Sequence, residues 1–415
     1  MAISAFCAWV LAFGLSCSNR NPSAKKVLTG ADLLIKKQLN LVRSRRIGLI
    51  TNHSALLSDG THLADALARQ EGVRIEALFA PEHGIRGDAP DGGIVQHEID
   101  TATGAKVFSL FGLETKPTAE MLKDIDVLVF DVQDIGARFY TFISTLFLTM
   151  EAAAEHHLPY IVLDRPNPIG GVRIEGPVRE DPLKSFVGWA PLPVTHGLTV
   201  GELARMANGQ DWLKDRARAE LTVVKMEGWK RALWYDETGL RWVKPSPSML
   251  TLATAVVYPG ACFIEGTNVS EGRGTERPFE FIGAPWIDAN RWAAQLERQI
   301  LPGVRFEAVA FTPKETERVT VDPKYEGEIC RGVSINVIDR NSFQPVRTGI
   351  ALLWALQRLY PEKFRFRDER FDRLAGTARL RQMVLEGRTL GDIVNSWEDE
   401  VQRFKNARQE YLLYK

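Results

Sequence analysis

The chain predicts an α/β fold, with a Rossmann-like parallel-sheet domain followed by a second, α+β domain. Two observations carry this. From residue 46 to about residue 167, strand-like apolar runs alternate with segments of helical period, the pattern of a parallel sheet with helices on both faces. One run, DVLVFDV at 126–132, is nearly all apolar, as suits a strand covered on both sides. At 415 residues the chain also exceeds what one small core organises, so two domains are expected.

The elements follow in order. RIGLITN at 46–52 reads as a buried strand, 61–70 as a helix and 73–79 as an alternating strand. Residues 106–110 make a short strand, and a helix begins near Pro117, a residue favoured at helix starts. Residues 141–157 carry Phe142, Leu146, Met150 and Ala153 at helical spacing, and 159–163 is the next strand. Thr199 and Glu202 form a capping box ahead of a helix at 200–208. Strands at 221–226, 304–311 and 333–338 are assigned to the second domain. Residues 390–413 read as one long helix presenting Ile393, Val394, Trp397, Val401, Phe404 and Tyr411 on one face. The expected division is 1–26 as leader and linker, 27–215 as the Rossmann-like domain and 216–415 as the α+β domain.

Lysine plus arginine and aspartate plus glutamate each number 52, a balance that argues against a dedicated nucleic-acid binder. Residues 2–16 are uncharged and apolar, too short for a membrane span and suited to a secretory leader. Cys17 and the polar stretch after it resemble a bacterial lipoprotein signal, so export is expected, with lipidation of Cys17 as a membrane anchor. Beyond the leader only Cys262 and Cys330 remain, read as two buried free thiols.

No G-x-G-x-x-G follows a strand, and there is no H-E-x-x-H, C-x-x-C or G-x-S-x-G. The seven histidines are scattered. Neither a cofactor nor a metal is expected, which leaves carboxylate chemistry as the simplest catalytic reading, with glycoside hydrolysis its most familiar form.

The candidate groups lie at strand ends, where open α/β sheets bind ligands. Ala80-Pro81-Glu82-His83-Gly84 hangs an acid and an imidazole on the end of the second strand; the plainer alternative is a turn cap beside a surface histidine. Asp131, Gln133, Asp134, Arg138 and Tyr140 follow the DVLVF strand, where Asp134 and Arg138 also suit a helix cap and its ion pair. Asn167 and Glu175 belong to an irregular Pro- and Gly-rich loop. His196 precedes the capping box, where the helix dipole favours neutral imidazole. Asn268, Glu271 and Arg273 lie in the polar stretch 265–277, flanked by aromatic residues.

Several of these segments resemble the DUF1343 family, which includes the exo-acting β-N-acetylmuramidases called NamZ. They are GLITN at 48–52, PEHG at 81–84, FDVQDIGARFY at 130–140, LDRPNP at 163–168, EGTNVSEGRGT at 265–275 and YLLY at 411–414. The resemblance runs from about residue 30 onward, in order. It implies an exo-lytic hydrolase releasing N-acetylmuramic acid from the non-reducing ends of peptidoglycan fragments. It also implies an active-site cleft between the two domains. Glu82 is then the leading catalytic residue, with His83, Glu175, His196 and Glu271 as candidates to complete the mechanism. Arg138 or Arg273 would clamp the lactyl carboxylate of muramic acid, Asn52, Gln133 and Asn268 would bind hydroxyls and the acetamido group, and Tyr140 would stack on the ring. The alternatives are a non-catalytic peptidoglycan-binding lipoprotein and a hydrolase of another glycoside or ester.

Overall fold

The computed structural model describes residues 26–86, 98–316 and 320–415; the leader and Cys17 lie outside them. The first domain is a seven-stranded sheet made of β1 (Arg46–Thr51), β2 (Arg74–Ala80), β3 (Glu98–Ile99), β4 (Lys106–Ser109), β5 (Val127–Asp131), β6 (Tyr160–Leu163) and β7 (Leu221–Val224). Their spatial order is β3-β4-β2-β1-β5-β6-β7. All neighbours are parallel except β3, which runs antiparallel to β4. The chain therefore winds outward from β1 in both directions, and the order reverses between β1 and β5.

Alternation along the central strands divides the core in two. Val127 and Val129 of β5 face a cluster shared with Ile47 and Leu49 of β1. Leu128 and Phe130 face the opposite, larger cluster, which continues into the second domain. Gly48 on β1 is dictated by close packing, since a Cβ there would sit 2.7 Å from Leu128 Cδ2 and 2.9 Å from Phe79 Cε2.

The second domain holds an antiparallel sheet of β8 (Phe281–Ala284), β9 (Val304–Phe311) and β10 (Cys330–Val337), in the order β8-β10-β9. Helix Ala289–Glu297 packs on it, and helix Pro345–Leu359 packs in turn on that helix and on helix Leu252–Ala261. Cys262 and Cys330 are free and buried, as expected.

Two expectations are corrected. The strand near 221–226 joins the first sheet, pairing with β6 from Tyr160↔Leu221 to Leu163↔Val224, so that sheet extends past the expected boundary at 215. The single helix expected over 390–413 is three pieces: Leu390–Asn395, Glu398–Ala407 and a 3-10 turn at Arg408–Tyr411. Ser396 Oγ donates back to Ile393 O at 2.7 Å, a local bond that competes with helix continuation. Three acidic residues, Glu398, Asp399 and Glu400, then restart the helix at its positive end.

Candidate active site

Where β2 ends, the chain makes a tight turn closed by Gly84 N donating to Pro81 O at 3.2 Å. His83 takes φ 76° while Glu82 keeps a negative φ, the arrangement of a type II turn whose third position ordinarily belongs to glycine. A buried non-glycine residue in that region stores local strain. The His83 ring is fixed edge-on to Phe142, with ring centres 6.4 Å apart. The turn thereby projects half-buried Glu82 into a cleft of about 450 Å³ between the domains.

A second element meets Glu82 there. Thr141 occupies the N-cap of helix Phe142–Glu155, yet its side chain caps no helix N–H. Its hydroxyl instead donates to Glu82 Oε2 at 2.7 Å. The usual contribution of a capping threonine, about 1 kcal/mol, is thus given up for a contact with the Glu82 carboxyl group. Aromatic rings from both domains form the walls: Tyr140 lies edge-on to Phe142 at 4.9 Å and to Tyr258 at 6.0 Å, and Tyr258 meets Phe279 at 4.7 Å.

The second domain contributes a charged wall. Glu265 receives Arg273 Nη2 at 2.9 Å on one oxygen and Arg370 Nη2 at 3.1 Å on the other. Burial pushes the Glu265 carboxyl up, but the two guanidiniums outweigh it and hold the group below the usual glutamate range. Arg273 also donates to Ser248 Oγ at 2.8 Å and lies over the Phe279 ring at 4.9 Å. Glu265 and Arg370 were not among the sequence candidates; Glu265 opens the polar stretch at 265–277, whereas nothing local marks Arg370.

Of the fourteen sequence candidates, Glu82, His83, Tyr140 and Arg273 line this cleft. The others lie elsewhere, and most of them hold backbone. Asp131, at the switch point between β1 and β5, is paired in the interior with Arg165 through bonds of 2.6 and 2.8 Å. Asn52 accepts from Ser54 N at 3.0 Å, and Gln133 donates to Pro166 O at 2.8 Å. These groups fill the crevice where a dinucleotide-binding sheet would hold its ligand.

Arg138 does not reach the cleft as a carboxylate clamp. It is buried and donates to the carbonyls of Pro177, Leu192 and Leu374 at 2.7–2.8 Å. Burial, followed by the nearby Arg179, lowers its guanidinium to about 9. Leu374 itself lines the cleft, so Arg138 supports that wall from behind. Asn167 is spent on Leu198 O at 3.0 Å and Ile169 N at 3.2 Å. Asn268 ties down Arg365 N and Lys363 O at 2.9 Å each.

The remaining acids and histidine also serve the scaffold. Glu271 is bonded by Lys324 Nζ at 2.9 Å, and its lysine also ties the carbonyls of Ile264 and Val269. Glu175 accepts from Arg347 N at 2.6 Å at the start of helix Pro345–Leu359. Burial pushes its carboxyl to about 7. It borders a separate, larger cavity of about 1060 Å³ that holds none of the other candidates.

His196 is fully buried and accepts Leu198 N–H on Nδ1 at 3.1 Å, so its proton sits on Nε2, 3.8 Å from Asp134 Oδ2. Burial first, then Arg408 and Arg138, lowers the ring to about 3. Burial beside these cations keeps the ring neutral. Burial pushes Asp134 up to about 7. Together with Arg138 N bonding Val194 O at 2.8 Å, this pair underlies the loop that delivers Tyr140 and Thr141. No group of three or more His, Cys, Asp or Glu converges as a metal site among the described residues.

A carboxyl-bearing turn at the C-terminal end of a parallel strand, facing an aromatic-lined interdomain cleft, fits the class of two-domain α/β glycosidases. Family models for the N-terminal and C-terminal parts of the exo-β-N-acetylmuramidase NamZ match residues 47–253 and 256–414. The chain belongs to that family. It is 44% identical over 408 residues to the peptidoglycan β-N-acetylmuramidase NamZ of Bacillus subtilis (strain 168), covering 98% of this chain and 96% of that protein. Two crystal structures of DUF1343 family proteins from Bacteroides fragilis NCTC 9343 share the fold. One has a TM-score of 0.86 at 37% identity, covering 95% of this chain and 100% of that chain. The other has a TM-score of 0.79 at 31% identity, covering 94% and 99%.

Proposed function

We propose that this protein is an exo-acting β-N-acetylmuramidase that releases N-acetylmuramic acid from the non-reducing ends of peptidoglycan fragments, with Glu82 as the proton donor. The observation that carries the reading is the placement of Glu82: a strained turn and the Thr141 hydroxyl aim its carboxyl into an aromatic-walled cleft. Family membership supports the substrate class.

Glycosidic cleavage needs a carboxyl group that gives its proton to the leaving oxygen as the C–O bond breaks. The two carboxyl groups lining the cleft differ in environment, and this sorts their tasks. Glu265 is held ionised by two arginines, so it is not the acid, and that role falls to Glu82. A cleft of about 450 Å³ lies toward the small end of the roughly 300–1,000 Å³ found for small-molecule sites. That size suits one substituted sugar rather than a run of them, as exo-action requires. The uncharged leader and Cys17 support an exported enzyme, which acylation of Cys17 would tether to a membrane.

The test is hydrolysis of a chromogenic β-N-acetylmuramide by the full chain and by Glu82→Gln. The amide variant is expected to lose about two to four orders of magnitude in kcat while folding normally, the usual loss of a general acid. A folded variant that turns over at the wild-type rate would remove Glu82 from the chemistry. Wild-type protein that binds the muramide but liberates no sugar would be a binding protein instead.

A further inference from the structure

We propose that Arg370, set beside Arg273 by their shared carboxylate Glu265, is the specificity residue that reads the lactyl carboxylate of the substrate. This rests on the muramidase reading above. Muramic acid differs from glucosamine by one feature, a lactyl ether that adds a carboxylate, so an enzyme that tells them apart gains most from a cation placed at that group.

The second domain's wall of the cleft carries an excess of one positive charge: Glu265 supplies one negative charge against two positive ones from Arg273 and Arg370. Behind it, Lys324 is nearly buried and occupied by Glu271 and three carbonyls. Arg273 bonds Glu265 and Ser248 and sits over Phe279. Arg370 is different. It lines the cleft with its side chain 57% exposed, and among the described residues its hydrogen bonding is the single contact of Nη2 with Glu265.

A guanidinium offers five N–H donors in a rigid fork, so most of the fork on Arg370 is left to face a ligand. Glu265 holds one oxygen against each arginine, which fixes the fork without neutralising the pair. An anion arriving there meets a pre-oriented donor set and loses little to side-chain ordering. It also stays within reach of the aromatic floor formed by Tyr258 and Phe279. The arrangement matches bidentate recognition of a carboxylate.

The experiment measures affinities of the full chain for N-acetylmuramic acid and for its lactyl methyl ester by titration calorimetry. Wild type is expected to prefer the acid by about 10- to 100-fold, the worth of a hydrogen-bonded charge pair. Arg370→Ala is expected to bring that preference to within about threefold of unity, and Arg370→Lys, which keeps charge but loses the fork, should fall between. If Arg370→Ala does not fold, the lysine variant alone decides. An undiminished preference in the variants, or no preference in wild type, would overturn the assignment. Hydrolysis of the chromogenic muramide is measured on the same wild-type protein. Its absence would sink the glycosidase reading while the acid-to-ester ratio still judged Arg370.

Discussion

Replacing Asp134 with asparagine should change how stability depends on pH, by an amount the structure sets. Burial raises the Asp134 carboxyl from 3.8 to about 7. Between those values the folded protein keeps a proton that the unfolded chain has released. The contribution of this side chain to stability is therefore fully present below the unfolded value, and it is lost as pH rises through the folded one. Integrating the proton difference gives a change of about 3 kcal/mol between pH ~4.5 and pH ~7.5. Asparagine keeps the shape and does not titrate. The stability of wild type relative to Asp134→Asn should thus grow by about 3 kcal/mol as pH is lowered across that window. Below about pH 7 the His196 ring faces an uncharged partner in both proteins, so its opposite dependence largely cancels in the difference. Urea unfolding followed by tryptophan fluorescence at several pH values supplies the numbers. A gap that stays constant to within about 0.5 kcal/mol would mean that the carboxyl is ionised in the folded state, and the account of this buried pair would be wrong.

Two further predictions test the supports of the site and of the fold. Thr141→Val should lower kcat on the chromogenic muramide about tenfold, with KM little changed, because it removes the hydrogen bond that aims the Glu82 carboxyl group, and Thr141→Ser should restore most of the rate. Equal rates for valine and wild type would leave the contact between Thr141 and Glu82 without a catalytic role. Tyr414→Phe removes the hydroxyl that donates to buried Asp164 at 2.5 Å and accepts from Met226 N at 2.9 Å. It should cost about 2–3 kcal/mol in urea unfolding, and a loss below about 0.5 kcal/mol would refute the importance of that bond.

Much of the first domain was legible because period and apolarity are local. The strands at 46–52, 73–79 and 126–132 each recur in the structure within a residue or two. The capping box at Thr199 and Glu202 forms as read. The strand at Leu221–Val224 was also legible, but its sheet was not, since nothing in four residues says which edge will take them. At the site, strand-end logic found Glu82 and overreached on its neighbours. Asp131, Gln133, Asn167 and Arg138 carry the right chemistry at the right edge, but a sequence does not distinguish a polar group facing a ligand from one facing a carbonyl of its own chain. Arg370 was invisible for the complementary reason. It joins Glu265 across 105 residues, and only folding makes them neighbours.

The YLLY segment at 411–414 has a consequence for the integrity of the first domain. Tyr414 reaches Asp164 and Leu413 N reaches Glu202 at 2.8 Å, while Arg231 N reaches Lys415 O at 3.1 Å. All three partners belong to residues 164–231, more than 180 positions upstream. Until residues 411–415 dock, Asp164 and Glu202 lack part of their set of donors, a costly state for any buried carboxyl group. The Rossmann-like half is therefore sealed by a segment that lies beyond the whole of the second domain in sequence. Removing residues 411–415 is therefore expected to loosen the first domain, although the deleted segment belongs to neither sheet, and to raise its susceptibility to proteolysis.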